Sequence, residues 1–236
     1  FDMDTVTIER SYPAIGDTGS HPAYRKLSKI TWQSGGVQAF EHAYRLFRDP
    51  KLAWALAHHA GWQPSIGFPF SRAEIEREAA KWPDDWNDRS TLHDGYGIAI
   101  LRGGAEDDKR AFWLRYGRAR GHVQDDIMDI GLQGYQGVLL SQMGYPRNWG
   151  YWEHCWMTHN VARQIPFQQM TAQAQLFADA GPVQVAEAYA QAYLDQVDAG
   201  KGYRLLDLTP GPSPARRGES YWQRRMTALV EVGPDR

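Results

Sequence analysis

Residues 97–117 read GIAILRGGAEDDKRAFWLRYG, and they hold two short apolar runs separated by Gly- and Asp-rich residues. From about Tyr96 onward the apolar residues recur with a period of two, which is typical of strands. Many consecutive short strands favour antiparallel pairing in a β-sandwich. Further runs of this kind, each bounded by Gly, Asp or Pro, are 125–133, 137–144, 158–165, 172–179 and 183–193.

The residues before this region carry a helical pattern instead. Within 36–60, GVQAFEHAYRLFRDPKLAWALAHHA, apolar residues recur at helical spacing, and Pro50 suits the first position of a second helix. The two helices joined by a tight turn form an αα-hairpin. Ser71 and Glu74 have the spacing of a capping box and predict a third helix. We therefore expect residues 36–82 to be mainly helical.

The change of period sets the domain organisation. It falls near residues 87–95 and divides a helical domain, 1–90, from a strand-rich domain, 91–236. The fold class expected is thus α+β and multidomain. Residues 209–219, TPGPSPARRGE, read as a flexible insert in a hairpin loop.

Composition narrows the class of function. With 42% hydrophobic residues over 236 positions, the chain has enough apolar side chains for a core. A net charge of −2 gives no field that would gather nucleic acid or an anionic membrane. No apolar run approaches membrane-spanning length. The single cysteine, Cys155, excludes an intrachain disulfide. The chain starts at Phe1 without a signal peptide and stops just after a strand-like run, so we expect truncation at both ends.

Residues 121–130, GHVQDDIMDI, are the most informative for chemistry. On a strand Asp125 and Asp126 would point to opposite faces, which disfavours them as the paired carboxylates of a glycoside hydrolase. One face would be polar at a cleft rim and apolar towards the core. It would carry His122, Gln124, Asp126, Met128 and Ile130.

In this order the motifs resemble the β-sandwich of heparinase II/III-like polysaccharide lyases. That family has a strand opening H-x-H-x-D, a strand ending D-x-G-Y and a strand with H-N-x-V. The helical turn AYRLFRDP also resembles the last helices of the family's (α/α) toroid. The matching residues here are His122 and Asp126, then Gly144 and Tyr145, then His159, Asn160 and Val161.

The resemblance implies the end of an (α/α) toroid over 1–90 and an incomplete antiparallel β-sandwich over 91–236. It implies a bacterial lyase, periplasmic or secreted, that degrades a glycosaminoglycan or alginate by β-elimination. His122 would be the catalytic residue that neutralises the substrate carboxylate, because a histidine donates hydrogen bonds and carries charge near neutral pH. A toroid tyrosine and histidine transfer protons in the family. We expect the tyrosine upstream of residue 1, so this chain alone should be inactive.

Two departures from the family pattern concern metal. Members can hold zinc through the second histidine, the D-x-G-Y aspartate and the H-N histidine. Glutamine, a poor zinc ligand, stands here at the first two positions. We therefore expect no cofactor, with His159 a ligand only if a zinc site survives and His154 or Cys155 supplies the rest. Expected substrate-binding residues are Gln124, Gln142, Tyr145, Trp152, His159 and Asn160.

Other functions stay open at this point. His122 and His159 could be structural residues, and the Trp-rich loop before Trp156 could pack beneath a cleft rather than stack on sugar. One alternative is an inactive carbohydrate-binding relative, which the lost zinc ligands favour. Another is a glycoside hydrolase on a similar helical-plus-sandwich frame. The expected partner is an acidic polysaccharide rather than nucleic acid or membrane, and the sequence leaves the polymer and the oligomeric state open.

Overall fold

The structure is a computed structural model. It describes residues 5–8, 12–13, 15, 36–117, 126–134, 137–140, 160, 171–193 and 220–230.

The helices form where the sequence predicts them. They are α1 (Gly36–Phe47), α2 (Pro50–Ala57) and α3 (Arg72–Ala79). Asp49 caps α2 by accepting a 2.9 Å hydrogen bond from the Lys51 amide, and Pro50 occupies the first turn. The capping box of α3 is present, since Glu74 accepts from the Ser71 amide at 2.7 Å and Ser71 Oγ accepts from the Glu74 amide at 3.3 Å.

A core of large apolar side chains joins these helices. Trp54, Trp62 and Ile75 are buried in it, together with Val6 from the N-terminal segment. The buried carboxylate of Glu41 accepts hydrogen bonds from Trp62 Nε1 and from the Ser65 amide, each 2.9 Å long. These bonds hold the chain after α2 against α1. No helix in the described part of the chain is long and apolar enough to cross a membrane.

The strands described by the structure form two antiparallel sheets. The first has five strands in the order of the chain, and the second has three. A short 3-10 turn, Glu106–Asp108, joins the second and third strands. The first sheet holds β1 (Thr91–His93), β2 (Ile98–Gly103), β3 (Arg110–Arg115), β4 (Asp129–Gly134) and β5 (Gly137–Leu140). The second holds β6 (Thr171–Asp179), β7 (Val183–Tyr193) and β8 (Ser220–Val230).

The two sheets share apolar cores. Leu114 and Tyr116, in and just after β3, are buried with Ala188 and Ala190 of β7. Ala99 and Leu101 of β2 are buried with Ala186 of β7. This confirms a mixed α+β fold with antiparallel sheets. The assignment to an (α/α) toroid and a heparinase-like β-sandwich stays a prediction, as does the division into domains 1–90 and 91–236.

The opposite face of the first sheet contacts the N-terminal segment. Ile98, Ile100 and Trp113 form a buried cluster with Ile15. On the same face, the buried guanidinium of Arg102 donates to the Arg89 carbonyl at 2.6 Å and to the Val6 carbonyl. Since Val6 is also part of the helical core, this segment links the helices to the sheet.

One strand prediction is wrong in its first half. Residues 125–133 were expected to form one strand, but β4 begins only at Asp129. Ile127 and Met128 form a turn in which Met128 has a φ of 68° and the Asp129 amide donates to the Asp126 carbonyl at 3.1 Å. Both turn residues are buried in the core between the sheets, which strand alternation forbids for neighbours. The expected alternation of Asp126, Met128 and Ile130 on one strand therefore does not exist.

Candidate functional site

Most residues expected at the site lie outside the described residues. This applies to the catalytic candidate His122 and to the substrate-binding candidates Gln124, Gln142, Tyr145, Trp152 and His159. Their roles stay predictions. The structure does describe Asn160 of the last motif and Asp126 of the first, and it shows what these two residues contact.

At the beginning of β4, one described residue of each motif contacts Asp129. Asp129, only 3% exposed, accepts hydrogen bonds on Oδ1 from the amides of Ile130 and Asn160, each 2.8 Å long. The side-chain amide of Asn160 donates in turn to the Ile130 carbonyl at 3.1 Å. Asn160 therefore lies in a turn docked on β4, not in the strand expected over 158–165. These bonds attach Asn160 to β4, and its role in binding substrate stays a prediction.

A buried ion pair lies next to this docking point. Arg115 Nε is 3.3 Å from Asp126 Oδ2, and the two side chains are 2% and 1% exposed. Arg115 is also the direct cross-strand partner of Asp129 in the β3–β4 register. A buried guanidinium is costly unless it is paired, so the Asp126 carboxylate stabilises Arg115 at this position. The same pair fixes the residue that ends the first motif.

Arg115 also contacts the turn between β1 and β2. Its Nη1 donates to the Tyr96 carbonyl at 3.4 Å, and its guanidinium lies 5.0 Å from the centre of the half-exposed Tyr96 ring. Gly97 gives this turn its shape. It has a φ of 78°, and a Cβ there would collide with the backbone of Gly117. The turn therefore places an aromatic ring beside the ion pair.

Tyr116 follows Arg115 in the sequence, and the surroundings of its phenol decide whether it could act as a base. The side chain is buried, and its hydroxyl donates to Asp94 Oδ1 at 2.7 Å. Burial strongly raises the pKa of Tyr116, and the hydrogen bond and negative charge of Asp94 raise it further. Tyr116 therefore stays protonated near neutral pH. A buried phenol with this pKa is unsuited to be a base in elimination.

The two carboxylates at this site do not form a hydrolytic pair. Both Asp126 and Asp129 are almost fully buried, whereas the acid and the nucleophile or base of a glycosidase must both reach the substrate. Within the described residues, no group of three or more His, Cys, Asp or Glu side chains could hold a metal ion. The family's zinc positions, Gln124, Gln142 and His159, lie outside those residues.

Sequence reasoning missed Arg115 and Asp129. Both are polar residues within expected strands, and neither belongs to the motif of His122, Gln124 and Asp126. A signal did exist in RAFWLRYG, where Arg115 follows four consecutive apolar residues in a strand that is mostly buried. A charged residue at such a position needs a partner of opposite charge.

The comparisons with known proteins found likeness in structure only. No family model matches the chain, and no curated protein matches it. Similar solved structures include a heparinase III with methylated lysines, at 13% identity and a TM-score of 0.47, over 79% of this chain and 26% of that one. Another heparinase III has 15% identity and a TM-score of 0.48, over 80% of this chain and 28% of that one.

A third similar structure is the heparan sulfate lyase HepC from Pedobacter heparinus. It has 12% identity and a TM-score of 0.47, over 80% of this chain and 31% of that one. The chain thus spans less than a third of the length of these structures. Likeness at this level describes the course of the backbone and says nothing of activity.

Proposed function

We propose that the chain is part of a polysaccharide lyase that cleaves a uronic-acid-containing polysaccharide by β-elimination. In this proposal the helices end an (α/α) toroid and the two sheets belong to the β-sandwich. One observation carries it. Asp126 and Asn160, from the first and last motifs, both hydrogen-bond Asp129 at the beginning of β4. One residue from each of these two motifs is thus bonded to the same aspartate, and this supports a common site.

The chemistry defines what the site must supply. A base removes the C5 proton of the uronate, the C4–O bond breaks, a C4–C5 double bond forms, and an acid protonates the leaving oxygen. Negative charge grows on the uronate carboxylate, so a donor or cation beside it lowers the barrier. We assign that role to His122. We assign no base within the chain.

The remaining proposals follow from the same resemblance of the sequence motifs to the lyase family. Substrate contacts are assigned to Gln124, Gln142, Tyr145, Trp152, His159 and Asn160, and Asn160 is also bonded to β4. No cofactor is assigned, since glutamine replaces two of the family's zinc ligands. The partner is an acidic polysaccharide, and the place of action is the periplasm or the outside of the cell.

The test uses the full-length protein that contains this chain. Heparin, heparan sulfate and alginate are each incubated with it, and the ultraviolet absorbance of the unsaturated uronate product is followed. The matched control is the same polymer with its carboxyl groups reduced to alcohols. We expect absorbance to rise with one of the native polymers and not with its reduced form, because only the carboxyl group acidifies the C5 proton.

Two outcomes would contradict the proposal. Cleavage of native and reduced polymer alike, without a rise in absorbance, would indicate a glycoside hydrolase. Retention of the protein on an immobilised polymer without any cleavage would indicate a carbohydrate-binding relative.

A further inference from the structure

We propose that Asp129 is a positioning residue of the lyase site, which fixes the H-N motif relative to the first motif. This inference rests on the proposed function. Asp129 is not part of any motif that carries the resemblance. It is nevertheless the residue through which Asn160 and Asp126 are joined.

The geometry shows how one carboxylate does this. Asp129 Oδ1 accepts from its own strand at Ile130 and from Asn160, 31 positions further along the chain, with both bonds 2.8 Å long. The Asp129 amide donates to the Asp126 carbonyl at 3.1 Å. Asp126 is held from the other side by Arg115, the cross-strand partner of Asp129. One residue of each motif is thus bonded to Asp129.

The burial of Asp129 separates it from the reacting groups. At 3% exposure its carboxylate has no open path to a polysaccharide, so any effect on the reaction must act through the segments it holds. In the sequence, Asp126 lies four positions after the catalytic candidate His122, and Asn160 directly follows the substrate-binding candidate His159. A displacement of about 1 Å at a reacting group costs about 10²-fold in rate. The binding of a long polymer, spread over many contacts, should change far less.

The chain offers a matched control at Asp179. This aspartate also accepts hydrogen bonds from two backbone amides in separate segments, Ser90 and Gly181, each 3.2 Å long. It lies at the end of β6, is exposed, and contacts neither motif in the described residues. Removing it therefore deletes two bonds of the same kind at an exposed position that contacts neither motif in the described part of the chain.

The experiment compares Asp129→Ala, Asp129→Asn and Asp179→Ala in the full-length protein, each assayed well below its own unfolding temperature. For Asp129→Ala we expect kcat to fall about 10²-fold with KM nearly unchanged. Asp129→Asn should restore most of the rate, because its amide oxygen can accept both backbone bonds. Asp179→Ala should keep the rate of the parent. Hydrogen exchange at the Asn160 amide should quicken in Asp129→Ala alone.

The outcomes that would overturn the inference are distinct from failure of the proposed function. A parent enzyme that cleaves its polymer while Asp129→Ala keeps the full kcat would overturn the positioning role alone. So would an equal loss of kcat in Asp179→Ala, or no recovery in Asp129→Asn. A parent that cleaves no uronate polymer would overturn the proposed function, and the positioning role with it.

Discussion

The buried ion pair between Arg115 and Asp126 should contribute more to stability than the partly exposed ion pair between Lys109 and Asp88. Replacing Asp126 with Ala leaves a guanidinium that is 2% exposed without the carboxylate 3.3 Å away. Breaking a buried pair by removing one partner costs about 3–5 kcal/mol. Arg115 keeps its bond to the Tyr96 carbonyl and its position opposite Asp129, so we expect the lower end, about 3 kcal/mol.

A double-mutant cycle isolates the interaction. Arg115→Met and Asp126→Ala are made singly and together, and the free energy of unfolding is measured by urea denaturation. The double variant no longer buries an unpaired charge, so it should lose less than the sum of the singles. We expect a coupling energy of about 2–3 kcal/mol.

The control is the pair between Lys109 and Asp88, whose atoms are closer, at 2.6 Å, but whose side chains are each 34% exposed. Water screens such a pair, so its cycle should give about 0.2–1 kcal/mol. The reasoning would be refuted if the losses of unfolding free energy in Arg115→Met and Asp126→Ala added up to the loss in the double variant to within about 0.5 kcal/mol. A larger coupling for the pair between Lys109 and Asp88 would refute it as well.

Three further predictions concern catalysis, metal and pH. His122→Ala in the full-length enzyme should lower kcat about 10²–10³-fold with an unchanged circular dichroism spectrum, and full activity or unfolding would show a structural residue instead. Elemental analysis of protein purified without added metal should find no zinc, whereas one zinc per chain would contradict this and indicate His154 or Cys155 as ligands. Burial is the main cause of the raised pKa of Tyr116, and Asp94 adds to it. The protonated Tyr116 side chain therefore contributes fully to stability below about pH 10, and this contribution is lost as the pH rises above that value. Urea denaturation on either side of about pH 10 should show this decline in the parent and a smaller one in Tyr116→Phe, and equal declines would contradict it.

The sequence predicts the local structure well where a local cause exists. Pro50 and the capping box of Ser71 act within one turn of the helices they begin, so their spacing alone locates α2 and α3. The strand β2 likewise follows from its short apolar run, β7 follows from its alternation, and both begin just after a glycine.

The turn before β4 shows where local patterns fail. Met128 adopts a positive φ without being a glycine, and the surrounding apolar and acidic residues mimic the period of a strand. The turn is favoured by the burial of Ile127 and Met128 between the two sheets, which depends on residues far along the chain. Such a tertiary contact has no signature in ten residues of sequence.

The site could be predicted only in part for the same reason. The motifs identify Asp126 and Asn160 as noteworthy, but the residue that joins them is Asp129, which is 31 positions away from Asn160. Arg115 could be placed on a strand, while its partner could not be chosen among the neighbouring aspartates. Pairing of buried charges is decided by three-dimensional proximity, which the sequence pattern does not contain.

The masses of the products test the central claim most directly. The full-length protein is incubated with a defined uronate oligosaccharide, and the two fragments are weighed by mass spectrometry. Elimination adds no water, so we predict fragment masses that sum to the mass of the substrate, with one fragment carrying the unsaturated uronate. Fragments whose masses sum to the substrate plus one water molecule would show hydrolysis and contradict the account.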